Sequence, residues 1–217
     1  MNVLELFCGT KSVGKCCDQL GWNSISVDLE KKFNPTHLCN ILDFDYKQYD
    51  KDYFDIIWAS PPCTSYSILQ GSWIGRIKNG EIFTEEKRQQ DMNEADKIVL
   101  KTLEIINYFN YELFFIENPQ TAQLKNRIIM KDLPFYDVDY CKYSDWGYRK
   151  RTRIWTNKKN FNAKKCNKDC GFILEGKHIN NLGNSEFKIN NIKVSKNFTQ
   201  QEKYRIPEEL IFDLFLS

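Results

Sequence analysis

A cysteine that directly follows two prolines is the residue of this chain best placed to do chemistry. Cys63 comes after Pro61 and Pro62, which themselves follow an apolar run at residues 53–58 that predicts a buried strand. Proline fixes φ and removes an amide donor, so two prolines at a strand end turn the chain out of the sheet and orient the next side chain. The thiol is therefore either a sulfur nucleophile or a buried structural cysteine in a rigid turn, and the local sequence leaves both open.

The length and composition limit the class of protein. The chain has 217 residues, 41% of them hydrophobic, which is enough for one α/β-sized domain with one sizeable core. No stretch approaches the roughly 20 apolar residues of a membrane span, and the N-terminus has no signal-peptide pattern. We therefore expect a soluble, intracellular protein, in the cytoplasm or nucleus of a host cell. Its eight cysteines are best interpreted as reduced thiols, and its abundant Lys, Asn and Ile are typical of an AT-rich genome, such as a viral one.

Positive charge is concentrated in one segment. Residues 142–168 contain ten Lys and Arg and one acid, a local charge of +9, which leaves about −7 for the rest of a chain of net charge +2. A charge run is usually a solvated face, but this density on an otherwise acidic chain favours a polyanionic partner, nucleic acid above all.

Short apolar strands alternate with amphipathic helices along the chain. Strands are predicted at residues 3–7, 24–28, 37–41, 53–60 and 111–117, with a helix that ends at Gly21 and a second helix at 91–109. This alternation predicts an α/β fold with a doubly wound, mostly parallel sheet, in which ligands bind beyond the carboxyl ends of the strands. The polar and unusual residues collect at those ends: Phe7, Cys8, Gly9, Asp28, Asp43, Pro62, Cys63, Glu117 and Asn118.

One pair of features at this edge is typical of a nucleotide-like ligand. A glycine turn at residues 9–14 opens a helix, and Asp28 follows 19 residues after Gly9. This places backbone amides near an anionic or polar group and a carboxylate near a ribose diol. Asp28 alone would also suit a turn and Asp43 a helix cap, so only their joint position favours a binding site.

Four motifs of the chain resemble those of the C5-cytosine-specific DNA methyltransferases, in that family's order and approximate spacing. They are Leu4-Glu-Leu-Phe-Cys-Gly9, Ser60-Pro-Pro-Cys63-Thr-Ser-Tyr-Ser67, Phe115-Ile-Glu-Asn-Pro119 and Arg149-Lys-Arg-Thr-Arg-Ile-Trp155. The resemblance spans residues 3 to 157. It implies the Rossmann-like fold of S-adenosylmethionine-dependent methyltransferases, and methyl transfer to carbon 5 of a cytosine flipped out of its helix.

The resemblance also implies roles for the matched residues. Cys63 matches the nucleophile that adds to carbon 6 of cytosine, and Glu117 the acid that stabilises charge at N3. Arg151 and Arg153 match an arginine pair that approaches the nucleophile and the base, and a positive field there would favour the thiolate. Without the resemblance, Glu117 would suit a helix cap and the arginines an exposed strand face. Substrate-binding roles fall on Pro62, Ser67, Asn118 and Arg149, and cofactor-binding roles on Phe7, Cys8, Gly9, Lys11, Gly14, Asp28, Asp43 and Pro61.

The chain departs from the family pattern in its cofactor loop and in its length. Lys11 and Ser12 replace a glycine pair, and we hypothesise that the Lys11 ammonium meets the cofactor carboxylate. Family members carry a sizeable target-recognition domain after the arginine motif, whereas this chain has a short stretch. We expect a catalytic core at 1–157, a short basic insert at 158–198 and a C-terminal segment at 199–217 that packs back on the core and begins with a capping box at Thr199 and Glu202.

Two other segments have open interpretations. Cys166, Cys170 and His178 have nearly the spacing of a zinc site, but a fourth ligand is not evident unless Cys141 approaches through the fold, so buried cysteines are preferred and no metal is predicted. Residues 70–93 are either a loop that closes over substrate or a plain solvent loop.

Three functions are compatible with the sequence. The first is an S-adenosylmethionine-dependent DNA cytosine-C5 methyltransferase, with little specificity of its own or with recognition supplied by a protein partner. The second acts on RNA instead, since a small recognition region also suits a structured RNA loop. The third is a cofactor-binding or nucleic-acid-binding module that has lost catalysis.

Overall fold

Continuous apolar runs form the centre of the sheet. In the computed structural model, which describes residues 1–183, 188–189, 192–193 and 195–217, the strand Ile56–Ala59 is completely buried, and all but the first residue of Asn2–Leu6 is buried. A strand with apolar side chains on both faces is stable only where both faces are shielded from water. Parallel strands packed between two layers of helices meet this requirement. The sequence pattern therefore determines the layering as well as the strands.

The helices and strands follow the predicted alternation. In chain order they are β1 (Asn2–Leu6), α1 (Ser12–Leu20), β2 (Asn23–Asp28), β3 (His37–Leu38), β4 (Ile56–Ala59), β5 (Ile77–Lys78), β6 (Glu81–Ile82), α2 (Glu85–Tyr108), β7 (Leu113–Pro119), β8 (Phe135–Asp139), β9 (Arg151–Thr156), β10 (Ile173–Leu174), β11 (Lys177–His178), β12 (Lys188–Ile189), β13 (Ile192–Lys193), α3 (Gln200–Tyr204) and α4 (Glu208–Leu216).

Seven of these strands form one mostly parallel sheet in the order β3-β2-β1-β4-β7-β9-β8. The first five are parallel to one another. β9 lies between β7 and β8 and runs antiparallel to both. The prediction of a doubly wound, mostly parallel α/β sheet is confirmed, and β1, β4 and β7 bring their carboxyl ends to one edge.

Helices cover both faces of the sheet. On one face, Val99 and Ile106 of α2 pack with Leu4 and Ile57. On the other, Val13 of α1 and residues 210–214 of α4 pack with strand residues of the opposite parity. Each layer buries an apolar stripe against the sheet, which is the main source of stability for such a fold.

Two elements differ most from the prediction. β3 is only two residues long because Asn40 accepts a hydrogen bond from the Leu42 amide (3.0 Å) and starts a 3₁₀ turn. α2 begins at Glu85, with Thr84 as its N-cap, so the predicted loop at 70–93 is helical in its last part. The first turns of α2 are charged rather than apolar, and ion pairs such as Arg88–Glu85 support them where no apolar period is visible.

The C-terminal segment contacts α1. The capping box is confirmed: Thr199 accepts from the Glu202 amide, and the Glu202 carboxylate accepts from the Thr199 amide. The Ile206 amide then donates to Ser12 Oγ at the start of α1 (3.0 Å, buried). Of the insert, residues 184–187, 190–191 and 194 lie outside the described part of the chain. Across that part, each helix is too short or too polar to cross a membrane.

Candidate active site

The candidate nucleophile lies on a turn that leaves the end of β4. Pro61 is buried, Pro62 is exposed and Cys63 is half-buried. The Tyr66 amide donates to the Cys63 carbonyl (3.1 Å) and closes the turn. Tyr66 itself is fully buried, and its hydroxyl donates to Asp96 of α2 (2.8 Å). The turn is therefore fastened on both sides of the thiol, which fixes the direction of the sulfur.

Asn118 connects this turn to the end of β7. Its Nδ2 donates to the Pro61 carbonyl (2.9 Å), and its side chain is fully buried. Its Oδ1 is buried without a hydrogen-bond partner among the described residues. Asn118 thus positions the nucleophile turn, while the substrate contact assigned to it from the sequence stays a prediction.

Glu117 lies one residue earlier and is buried beside Tyr140 and Lys150. Its Oε1 accepts a hydrogen bond from the Tyr140 hydroxyl (3.0 Å), and the Lys150 ammonium lies 3.4 Å from the same oxygen. The Lys150 Nζ also lies over the Tyr140 ring, 4.9 Å from its centroid. A buried carboxylate needs such partners, and these two orient Glu117 at the edge of the sheet.

The two arginines of the matched motif face the other side of β9. Glu117 pairs directly with Ile154, and side chains alternate along a strand, so Arg151 and Arg153 point away from the Glu117 face. Arg153 instead makes two hydrogen bonds to Asp137 of β8 (2.7 and 2.9 Å). The cation beside Glu117 is thus Lys150, and the approach of the arginine pair to the nucleophile stays a prediction.

Arg149 and Arg151 share one carboxylate. The Nε atoms of both lie 4.0 Å from Asp139 Oδ1, too far for a close hydrogen bond. The Arg151 side chain is 51% exposed. This arginine is thus loosely held and available to a partner, whereas Arg153, with two close bonds, is not.

The local field on Cys63 is mixed. Burial raises the pKa of the Cys63 thiol above its ordinary value, the Glu117 carboxylate raises that pKa further, and the Lys150 ammonium lowers it. Among the described residues Lys150 supplies the positive field expected from the sequence, and its effect is outweighed by burial. The thiol is therefore mostly protonated near neutral pH in the absence of substrate.

Opposite changes in thiol reactivity are expected from two nearly isosteric variants. Lys150→Met removes the cation and should slow alkylation of Cys63 by iodoacetamide several-fold at a fixed, mildly alkaline pH, since the thiolate is the reactive form. Glu117→Gln removes the anion and should speed alkylation by a similar factor. Mass spectrometry of the Cys63 peptide against time gives both rates. The half-buried Cys39, outside the site, serves as internal control and should react equally in both variants; a change of the same sign at Cys63 would contradict this account.

The loop between β1 and α1 enters the left-handed region of backbone space three times. Phe7, Gly9 and Lys11 have φ of 61°, 47° and 55°. For the two non-glycine residues this costs about 1–2 kcal/mol each, a strain often found where backbone meets a ligand. Asp28 holds the loop: its Oδ2 accepts from the Gly9 amide (2.9 Å) and its Oδ1 from the Glu30 amide (2.8 Å).

A buried carboxyl group, Glu5, lies beneath this loop and caps α1. It accepts hydrogen bonds from the amides of Val13 (3.3 Å) and Gly14 (3.0 Å). Burial raises the pKa of Glu5 to about 8 against the lowering effect of these bonds. Gly14 was predicted to bind cofactor, but its amide is engaged by Glu5, and a Cβ at this position would lie 3.3 Å from Glu5 Oε2. Cys8, also assigned to the cofactor, is buried, and burial raises its thiol pKa to about 12.

Two other predicted site residues have local roles in the structure. Asp43 is exposed at the end of the 3₁₀ turn Ile41–Asp43. Ser67 caps the next short helix, since its side chain accepts from the Leu69 amide (3.3 Å). Their contacts to cofactor and substrate stay predictions.

A cavity of about 480 Å³ opens beside the cofactor loop. Thr10 and Ser12 line it on one side, and Trp146 and Arg205 on the others. This volume is typical of small-molecule sites. Because Arg205 lines the same cavity as Thr10 and Ser12, the C-terminal segment lies next to the loop between β1 and α1, which was predicted to bind the cofactor.

Sequence comparison identifies the family. Over 169 residues the chain is 41% identical to the "Probable DNA (cytosine-5)-methyltransferase" of Frog virus 3 (isolate Goorha), a match that covers 76% of this chain and 75% of the viral protein. The chain belongs to the DNA (cytosine-5)-methyltransferase family. No protein-family model matches it.

Two solved structures are similar to this methyltransferase in part. One is the Dnmt2 methyltransferase of S. pombe (14% identity, TM-score 0.41, covering 78% of this chain and 52% of that chain). The other is a DNMT2 mutant of Spodoptera frugiperda (17% identity, TM-score 0.44, covering 76% and 53%). This chain spans about half the length of both structures.

Internal ion pairs absorb much of the basic segment of the methyltransferase. Six of its ten basic residues lie within 4.0 Å of an acid: Lys142, Arg149, Lys150, Arg151, Arg153 and Lys164. In the part of the chain that is described, Lys159, Lys165 and Lys168 have no acidic partner at this distance, and Lys158 donates to the main-chain oxygen of the C-terminal residue, Ser217. The positive charge available to a polyanion is thus smaller than the sequence count indicates.

Three residues that shape this methyltransferase site were not predicted from the sequence: Glu5, Tyr140 and Lys150. Lys150 was counted only as charge, because β9 and its antiparallel register were not predicted. Tyr140 is 23 residues from Glu117 and carries no motif. For Glu5 a signal did exist, since it is the single acid in the otherwise apolar run of β1.

Proposed function

We propose that this chain transfers a methyl group from S-adenosylmethionine to carbon 5 of cytosine in DNA, through a covalent bond between Cys63 Sγ and carbon 6. The observation that carries the proposal is the position of Cys63 on a fastened turn within the field of Glu117, in a chain 41% identical to the frog virus protein. The substrate named for that protein is DNA, which is why DNA comes first here.

The residues of the cofactor edge fit S-adenosylmethionine. Each Asp28 oxygen accepts one backbone amide and keeps capacity for a further donor, such as a ribose hydroxyl. Phe7 and Gly9 would hold the adenosine part, and Lys11, or Arg205 across the cavity, would meet the carboxylate. When bound, the cofactor supplies an electrophilic methyl group to carbon 5.

The chain's own residues would activate the base. The Cys63 thiolate adds to carbon 6, and the electron pair of the carbon 5–carbon 6 double bond moves toward N3. After it takes up a proton from solvent or from the Cys63 thiol, the Glu117 carboxyl group donates a proton or a hydrogen bond to N3, which stabilises that charge and leaves carbon 5 nucleophilic. After methylation, loss of the carbon 5 proton to a base and departure of the Cys63 thiolate restore the aromatic ring. Because the resting thiol is mostly protonated, its proton must leave before or during addition.

The segment after Cys63 supports contact with a nucleic acid. Residues 68–82 expose several apolar side chains toward solvent: Ile68, Leu69, Trp73, Ile74, Ile77 and Ile82. Apolar wedges of this kind occupy the space left when a base leaves its stack. In the proposal this segment faces the flipped cytosine, while target recognition comes from the short insert or from a protein partner.

Trapping on 5-fluorocytosine tests the mechanism and the substrate. Fluorine at carbon 5 cannot leave as a proton does, so the adduct persists once the methyl group has been transferred. We expect a covalent complex with DNA oligonucleotides in the presence of S-adenosylmethionine, and none with Cys63→Ser. An adduct only on the matched RNA oligonucleotide would move the substrate to RNA. Cofactor binding without an adduct on either would contradict the proposal and favour a noncatalytic module.

A further inference from the structure

Four metal-ligating side chains converge at one end of β8. The Sγ atoms of Cys141, Cys166 and Cys170 and a ring nitrogen of His178 all lie within 4.8 Å of one another. His178 Nε2 is 3.5 Å from the Cys166 sulfur and 3.4 Å from the Cys170 sulfur. We propose that these four residues bind a structural Zn²⁺ ion that fastens the insert to the catalytic core.

The separations are those that a zinc ion requires. With Zn–S bonds of about 2.3 Å and a Zn–N bond of about 2.0–2.1 Å, tetrahedral geometry places sulfur and nitrogen about 3.5 Å apart and two sulfurs about 3.8 Å apart. The two sulfur–nitrogen distances of 3.5 and 3.4 Å agree with this value. All four ligand atoms lie within 4.8 Å of one another, so the widest pair would close by at most about 1 Å to complete the tetrahedron.

The ligands come from three separate pieces of chain. Cys141 lies in the turn that follows β8, Cys166 and Cys170 lie in one loop of the insert, and His178 is the last residue of β11. The fourth ligand, absent from the local spacing, is thus supplied by the core. The preference for ordinary buried cysteines rested on that missing ligand.

The loop that carries Cys166 and Cys170 is a tight turn. The Asn167 amide donates to Asp169 Oδ1 (3.1 Å) within it. Lys168 has a left-handed φ of 68°, which allows the chain to fold back on itself. The turn brings both sulfurs to the same ring nitrogen of His178.

The donor set selects zinc and a structural role. Three thiolates and one imidazole are soft ligands that suit Zn²⁺ and not Mg²⁺ or Ca²⁺. Four protein ligands fill the tetrahedron and leave no open position for a water or a substrate, as in other structural sites.

The insert has too small a hydrophobic core to be stable without a cross-link such as a metal ion. Within residues 158–183 the buried side chains are few, namely Phe161, Cys166 and Asn180. The hairpin of β10 and β11 has two residues in each strand, too little to be stable by itself. Small elements without a core are commonly held by a metal or by disulfides.

The site would also orient the arginine motif. The Cys166 amide donates to Asp139 Oδ2 (2.8 Å), and Asp139 is the carboxylate that lies near Arg149 and Arg151. A fixed Cys166 loop thus fixes the acid that holds the two arginines. Through this contact the zinc site would connect the insert to the residues that are available to a nucleic acid.

Metal analysis of the tag-free, full-length chain tests the proposal without reference to activity. We expect one zinc ion per chain after purification without chelator, and after exchange into Co²⁺ the visible absorption of a tetrahedral cobalt–thiolate centre. Zinc should be lost in His178→Ala and retained in His178→Cys, because four cysteines also form a structural site. Cys39→Ser, which removes a thiol outside the cluster, should keep the full zinc content.

The wild-type chain decides the outcome even if a variant fails to fold. A chain that contains no zinc and gives no cobalt–thiolate absorption on addition of Co²⁺ would overturn the proposal, as would a disulfide between Cys141 and either insert cysteine in the fresh protein. Full zinc content in a folded His178→Ala variant, checked by circular dichroism, would also contradict it.

Discussion

Glu117→Gln is expected to lower the rate of methyl transfer by about 10²–10⁴-fold, the usual contribution of a positioned general acid. The same substitution should make the Cys63 thiol more reactive toward iodoacetamide, because it removes the anion that raises the thiol pKa. The two effects have opposite signs. If Glu117 acted through the nucleophile, both rates would rise together, so their divergence assigns Glu117 to the base rather than to the thiol.

The loss of rate in Glu117→Gln is measured as the single-turnover rate at which a tritium-labelled methyl group passes from S-adenosylmethionine to DNA. Tyr140→Phe is the matched comparison: it removes one hydrogen bond to Glu117 Oε1 and leaves the Lys150 contact in place. We expect a smaller loss for it. A Glu117→Gln protein that unfolds at the wild-type temperature and keeps its rate within a few-fold would contradict the role of Glu117 in the proposed mechanism.

The nucleophile turn could be predicted because its determinants are local. Continuous apolar residues form β4, two prolines force the exit from the sheet, and the parallel order of β1, β4 and β7 then brings Cys63 and Glu117 to one edge. These steps need only the residue types and a parallel sheet, in which the carboxyl ends of the strands meet at one edge, and both could be predicted from the sequence. The same holds for the Thr199 capping box.

The side of the sheet to which the arginine side chains point could not be predicted, because it depends on the pairing register of β9 with β7. Whether Lys150 or Arg151 meets Glu117 is decided by the antiparallel pairing of β9 with β7, and a shift of one residue would exchange the two faces. The convergence of Cys141 with the insert is nonlocal in the same way. Its 25-residue separation from Cys166 contains β9, and only the folded sheet closes that distance.

The cofactor loop also depends on an interaction that no motif records. Glu5 is buried and accepts hydrogen bonds from two amides of α1, and a Cβ at Gly14 would lie in tight contact with it, 3.3 Å from Oε2. Burial is the largest cause of the raised pKa of Glu5. Two neighbouring charges have opposite effects on that pKa: the Lys11 ammonium lowers it and the Asp28 carboxylate raises it. Folding thus keeps a proton on Glu5 that the unfolded chain loses.

Glu5→Gln is therefore expected to remove a pH dependence of stability. The ordinary pKa of glutamate is 4.5, and that of Glu5 is about 8 in the folded chain. Between these values the folded state binds more protons than the unfolded state, so the free energy of unfolding falls as the pH rises through this window. At about 1.4 kcal/mol per pKa unit, the full fall approaches about 5 kcal/mol.

The measurement is the difference in unfolding free energy between wild type and Glu5→Gln, from urea titrations at a series of pH values. Other groups titrate in both proteins and cancel. Glutamine keeps one oxygen for one of the two amides, so it adds a pH-independent offset, and the relative stability of the variant should increase steadily from about pH 4.5 to about pH 8. Glu94→Gln, at an exposed position on α2, should give a flat difference. A flat difference for Glu5→Gln as well would mean that Glu5 is ionised in the folded chain, and that α1 is capped by a carboxylate whose charge the Lys11 ammonium must balance.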